Sequence, residues 1–259
     1  MILVSHALDD LTLARWREWQ AGCNATHDTF LALTTSARAA ATALGLTDVL
    51  FVEAEETYLP DYLPKGTSRK VVPGNFDLVM LALRRRLPGY RYYLFSEYDV
   101  FLPGGHAAVL AAAAASSADL IGSIIRPPEA EPDWSHWRSL RPGPKDAAAA
   151  VRRAALLCFA RYSGRLLDAL DAAYRSGWNG HFEATVPTLA ATRGLAVETW
   201  NDAAARVGLA PLTDDASFHW RRMRPVAPHL AHHPVKTLRE ARDVAAALGM
   251  PAPLEVPPW

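Results

Sequence analysis

Short apolar runs alternate with amphipathic stretches along this 259-residue chain. That order predicts an α/β protein with an open, mainly parallel sheet flanked by helices. Composition agrees. Half of the residues are hydrophobic and 21% are charged, which suits a substantial buried core and excludes a disordered chain. No internal repeat or linker-like stretch divides the sequence, so residues 1–259 read as a single domain.

The elements follow in order. Ile2 to Ser5 is a strand-type run, and Asp9 or Asp10 caps a helix carrying Leu11, Leu13, Trp16 and Trp19. Phe30 to Leu33 reads as a strand, Ser36 to Leu44 as a helix closed by Gly45, and Val49 to Glu53 as a strand. The loop from Glu55 to Gly74 holds Lys65, Arg69 and Lys70, either as a solvated face or as an anion-contacting loop. Asn75 to Leu87 predicts a helix because Phe76, Val79, Met80 and Leu83 recur at helical spacing before Pro88-Gly89. Arg91 to Leu102 is aromatic and β-prone, hence a strand. A helix (106–118), a strand (120–126) and a long loop (127–145) come next. A strand-like AALLCFA (154–160), a helix from about Ser163, a turn at SGWNG, a helix ending at Gly194, a strand (195–199) and a terminal helix (238–248) complete the reading.

Twenty-seven basic and 27 acidic residues leave a formal net charge of zero. A general nucleic-acid binder needs a basic excess to displace counterions, so that class is excluded and any anion must be met locally. The alanine-rich stretch from Ala107 to Ile125 is interrupted by polar residues and is too weakly hydrophobic for a membrane span. MILVSHALDD has no basic leader, which points to a cytoplasmic protein. Cys23 and Cys158 lie far apart and read as free thiols rather than a disulfide framework. Abundant alanine and arginine suit a GC-rich bacterial genome.

Three constellations carry chemistry. In RYYLFSEYDVFL, Glu97 and Asp99 stand near the end of a strand, and i, i+2 spacing puts both on one face if the strand stays extended. At the carboxyl end of a strand in an open sheet that face opens on the ligand crevice; the alternative is a solvated edge strand. In HFEATVPTLAATRG, His181 and Glu183 open a helix, where the dipole favours a carboxylate, for capping or for function. In HLAHHPVK, His229, His232 and His233 suggest a zinc site without a cysteine or acidic partner nearby. The long loop adds Trp134, His136 and Trp137, with tryptophans suited either to stacking on a sugar or to covering the core.

Taken in order, YLFSEYDVFL, GHFEATVPT and HHPVK resemble the nucleotide-sugar glycosyltransferases of the GT-A fold, in a bacterial and fungal group where an EYD triplet replaces Asp-x-Asp. The resemblance implies a metal-dependent, inverting transfer of a sugar from a nucleoside-diphosphate donor to a hydroxyl acceptor. By it, Asp99 binds Mn²⁺ or Mg²⁺, Glu97 reaches the ribose or the metal shell, and His233 completes the metal site. Lys236 meets the diphosphate, Ser5 and His6 contact the nucleotide, and Glu183 is the base, with His181 as fallback. Trp134, Trp137 and Trp178 would line the acceptor. Residues 1–126 would then form the nucleotide and metal half, and 127–259 the acceptor half with the C-terminal HPVK segment. If the enzyme were retaining, Glu183 would only orient the acceptor. A nucleotidyltransferase would need a glycine-rich basic loop after the first strand, and VSHALDDLTLARW has no glycine there. A non-catalytic domain of the same fold, binding a carbohydrate or a partner protein, stays open as the alternative.

Overall fold

The computed structural model describes residues 1–23, 27–64, 74–146, 151–218 and 223–251. In chain order it contains β1 (Ile2–Ser5), α1 (Asp10–Gly22), β2 (Phe30–Thr34), α2 (Arg38–Ala43), β3 (Val49–Val52), α3 (Ala54–Thr57), α4 (Phe76–Arg86), β4 (Tyr92–Glu97) and α5 (His106–Ala115). There follow β5 (Leu120–Gly122), β6 (Ile125–Arg126), β7 (Ala154–Ala155), β8 (Phe159–Ser163), α6 (Gly164–Arg175), α7 (Phe182–Thr192), β9 (Val197–Thr199), α8 (Trp200–Ala205) and α9 (Leu238–Ala247). Seven strands form a sheet in the order β3-β2-β1-β4-β8-β5-β9, and β6 pairs with β7 in a separate ladder. β1 runs parallel to β2 and β4, β5 runs parallel to β9, and β8 is antiparallel to β5. The fold is therefore α/β with an open, mainly parallel sheet, as the alternating pattern predicts.

Local chemistry explains most boundaries. The Asp9 carboxylate accepts the Thr12 N–H at 2.8 Å, which makes Asp9 rather than Asp10 the cap of α1. Ser163 caps α6 through the Leu166 N–H at 3.0 Å. Thr237 and Glu240 form a reciprocal capping box at the start of α9. Helix α5 stops at Ala115, short of Ala118, because Ser116 is already extended.

The stretch 120–126 is not one strand. After Gly122, the Ser123 N–H donates to the Leu156 carbonyl (3.0 Å) and its hydroxyl to the Phe159 carbonyl (3.1 Å), so the chain turns aside. Ile125–Arg126 then pair with Ala154–Ala155. For the same reason AALLCFA divides between β7 and β8. The loop cations Lys65, Arg69 and Lys70 lie outside the described residues.

Two compact units result, neither continuous in sequence. The first comprises Met1–Phe51, Leu94–Ser116 and Trp200–Trp259. Its strand β1 is buried throughout, the pattern of a parallel strand covered on both faces. Trp19 of α1 meets the His106 ring edge-on at 4.6 Å. Helix α9 turns Ala241, Val244 and Ala245 onto Phe101 and Val235. The second unit comprises Val52–Tyr93 and Ser117–Thr199. Buried Asp119 ties it together, accepting from the Ser163 hydroxyl (2.7 Å), the Arg165 guanidinium and the Ala196 N–H (3.1 Å). Among the described residues no helix is long and apolar enough to cross a membrane.

Candidate functional site

In the first unit, a carboxylate cluster grows from the end of β4. Val4 of β1 pairs with Glu97, the last residue held in the sheet. A turn follows: the Tyr98 N–H donates to the Val4 carbonyl (3.0 Å) and the Val100 N–H to the Glu97 carbonyl (3.1 Å). Asp99 thus stands on a turn beyond the strand, and the pleat argument for its alignment with Glu97 does not apply. The C-terminal segment completes the arrangement. Phe101 and His232 exchange backbone hydrogen bonds of 2.9 and 2.8 Å, and the Val235 N–H donates to the Asp99 carbonyl at 2.8 Å. Because Val235 and Phe101 share the apolar cluster of α9, burial of that helix face holds the HPVK segment against the EYD turn.

One ligand atom each of Glu97, Asp99 and His233 lies within 4.8 Å of the others. Asp99 is only 4% exposed. Its Oδ1 stands 3.6 Å from His233 Nε2 and its Oδ2 3.8 Å from the Lys236 ammonium. Both distances exceed a hydrogen bond, and Oδ1 has no hydrogen-bond partner. A buried carboxylate oxygen without a donor is costly unless a cation compensates it. Burial pushes the His233 imidazole below its ordinary value against the pull of Asp99, which favours the neutral ring that a metal needs. The residues present therefore fit a divalent cation with oxygen and imidazole ligands.

A second cluster lies in the other unit. His181 is the N-cap of α7, its Nδ1 accepting the Glu183 N–H at 3.4 Å. Glu183 Oε1 accepts the Leu157 N–H at 3.1 Å, while Oε2 lies 3.9 Å from His181 Nδ1. Burial raises the Glu183 pKa to about 7, with the Leu157 hydrogen bond opposing only part of the rise. The His136 ring stacks on His181, centroids 3.6 Å apart and planes 18° from parallel, and Trp134 meets His136 edge-on at 4.9 Å. Atoms of His136, His181 and Glu183 also lie within 4.8 Å of one another. Nearly parallel rings, though, aim their in-plane lone pairs side by side rather than at one ion, unlike a tetrahedral metal centre. This cluster is a ring stack beside a buried carboxylate.

The other predicted residues divide. His6 is exposed, its ring edge-on to Tyr98 at 5.1 Å. Ser5 is buried, its hydroxyl donating to the Ala7 carbonyl (2.8 Å) and lying 3.1 Å from the Thr12 hydroxyl in the β1–α1 turn. Trp178 is a core residue 1% exposed whose indole N–H donates to Asp146 at 2.8 Å. Trp134 and Trp137 are half-buried and 5.0 Å apart, with the Trp137 indole N–H donating to the Glu131 carbonyl. Among the described residues His229 and His232 join no such cluster with His233: His232 is fully buried and His229 is exposed.

Sequence reading missed His136 as a site residue, and it missed Gly74. Gly74 has φ +100°, and a Cβ there would stand 2.6 Å from His181 Cδ2, so glycine is required both by backbone and by space. The run of Trp134, His136 and Trp137 was the available signal, but only the packing tells which ring meets His181.

No protein-family model matches the chain, and no curated protein matches it. Among solved structures it is similar to an inositol-1-phosphate CTP transferase from T. maritima, with TM-score 0.43, 9% identity, and 76% of this chain and 83% of that one covered. It is similar to the galactosyltransferase LgtC in complex with donor and acceptor sugar analogs, with TM-score 0.42, 12% identity, and 77% and 73% covered. A mannose-1-phosphate geranyltransferase from Thermus thermophilus gives TM-score 0.33, 14% identity, and 94% and 78% covered.

Proposed function

We propose that this chain is a metal-dependent glycosyltransferase that moves a sugar from a nucleoside-diphosphate sugar to a hydroxyl acceptor with inversion. One observation carries the reading: the buried, hydrogen-bond-free Oδ1 of Asp99, grouped with Glu97 and His233 and flanked by Lys236. Two carboxylates and an imidazole suit Mn²⁺, with Mg²⁺ as the alternative. When bound, that cation would offset the charge gathered by the leaving diphosphate. Lys236, with 60% of its side chain exposed, is assigned to the diphosphate as a point charge. His6, beside Tyr98, is assigned to the nucleotide.

Glu183 is assigned as the general base. As the acceptor oxygen bonds to the anomeric carbon and the bond to the diphosphate breaks, the hydroxyl proton passes to Oε2, because Oε1 is engaged by Leu157. A carboxylate whose pKa stands at about 7 combines a usable ionised fraction with strong proton affinity at neutral pH. Trp134 and Trp137 are assigned to the acceptor, where flat rings suit the apolar face of a sugar.

Calorimetry with UDP and GDP, with and without Mn²⁺, tests the donor half. Binding is expected only with the metal and should be lost in Asp99→Asn; metal-independent binding unchanged in that variant would overturn the assignment. For the acceptor half, Glu183→Gln should keep nucleotide binding and reduce transfer by roughly 100-fold or more. Full transfer in that variant would remove Glu183 from the chemistry.

A further inference from the structure

The stacked imidazole of His136 has no place in the proposed reaction, yet its surroundings are built to hold it. Ser139 links it to His181: the Ser139 hydroxyl donates to the His136 carbonyl at 2.7 Å and accepts the His181 N–H at 2.9 Å. Trp134 lies edge-on to both imidazoles, at 4.9 and 6.5 Å. Gly74 lies against the Cδ2–Nε2 edge of His181. The His181 ring is thus clamped, with His136 on a face and Gly74 at an edge.

We propose that His136 is a positioning residue for Glu183, acting through His181: its stacked ring fixes the His181 imidazole beside the second carboxylate oxygen and shields one face of that imidazole from water. The inference rests on Glu183 being the base.

The physical consequence concerns charge. Among the described residues, His181, at the cap of its own helix, and His136, from the turn 135–138, each bring a ring nitrogen within 4.8 Å of a Glu183 carboxylate oxygen. The segment at Leu157 offers a backbone N–H. Burial also lowers the His136 pKa, which favours the neutral form of the stacked partner. A cationic His181 would stand 3.9 Å from the carboxylate and weaken its hold on a proton. By excluding water from one face of His181, His136 makes that cation costly. The base then keeps its proton affinity. A ring is needed for this, but not the nitrogens of His136.

The test combines the pH profile of transfer with a direct titration of the Glu183 carboxyl by ¹³C NMR on the intact, ligand-free chain. For His136→Ala, the acid limb of the profile and the carboxyl titration should both move down by about one pH unit. kcat should fall roughly 10-fold with donor KM unchanged. His136→Phe, which keeps a ring, should restore both midpoints. Unchanged midpoints in His136→Ala, or a His136→Phe that behaves like the alanine variant, would overturn the proposal. If His136→Ala does not fold, His136→Phe decides alone: wild-type midpoints support the stacking role and displaced ones refute it. Failure of the base assignment is separable, because Glu183→Gln would then retain transfer while the carboxyl titration still responds to His136→Ala.

Discussion

Replacing Glu183 by glutamine should make the protein more stable at alkaline pH while disabling transfer. The side chain is 13% exposed, and burial lifts the carboxyl pKa from the ordinary 4.5 to about 7. An acid whose pKa is raised on folding binds its proton more tightly in the native state. The neutral form therefore costs the fold nothing below pH 4.5. The penalty grows as pH rises toward 7 and is complete above it. The gap between 4.5 and about 7, at about 1.4 kcal/mol per pH unit, amounts to roughly 3 kcal/mol. Glutamine is nearly isosteric, carries no charge, and keeps a carbonyl oxygen for the Leu157 N–H. Urea denaturation of both proteins at pH 4.5 and pH 8 measures the difference, with other carboxylates cancelling between them. Near-equality is expected at pH 4.5, and a gain of about 1–3 kcal/mol for the variant at pH 8, less than the full gap where the native chain relaxes or admits water. A pH-independent difference, or a variant less stable at pH 8, would refute the claim that burial sets the proton affinity of this group.

Other consequences follow from the same structure. Gly74→Ala forces a side chain into φ +100° and against His181, so it should cost about 2 kcal/mol or more in denaturant and lower kcat by displacing the ring beside Glu183. For Asp119, burial pushes the pKa up but is outweighed by the Arg165 and Ser163 hydrogen bonds, so the carboxyl is held below its ordinary value. That stability is present above the ordinary carboxylate range and is lost as pH falls through the depressed pKa. Asp119→Asn should cost about 2 kcal/mol at pH 7, a figure reduced because Arg165 is largely exposed, and the cost should shrink in acid melts. Asp99→Asn should abolish the thermal stabilisation that Mn²⁺ with a nucleoside diphosphate gives the wild type; an equal shift in both proteins would place the metal elsewhere.

The legible parts of the chain were those governed by neighbours in sequence. β1 announced itself as an apolar run because a parallel strand is buried on both faces, and α4 because its apolar residues recur at helical spacing before Pro88. Gly45, with φ +62°, ends its helix as its lack of a side chain allows. Where tertiary hydrogen bonds intervened, the reading failed. Nothing around Ser123 told that its hydroxyl would reach Phe159 and split one strand into two. Likewise, nothing local told that the turn at Ala7 would engage the Ser5 hydroxyl or the carboxylate of Asp146 the Trp178 indole.

Periodicity, capping and residue chemistry were enough to establish the α/β architecture, and with the resemblance they singled out Glu97, Asp99, Glu183 and His233 as candidates, because those properties act over a few residues. Which of them meet was settled by folding alone. Asp99 faces His233 because Phe101 pairs with His232 and the apolar face of α9 holds that ladder in place. His136 reaches His181 because Ser139 bonds to both backbones. Such contacts join residues distant in sequence, and the free energy that fixes them comes from burial and backbone pairing elsewhere in the fold, which leaves no mark on the local pattern.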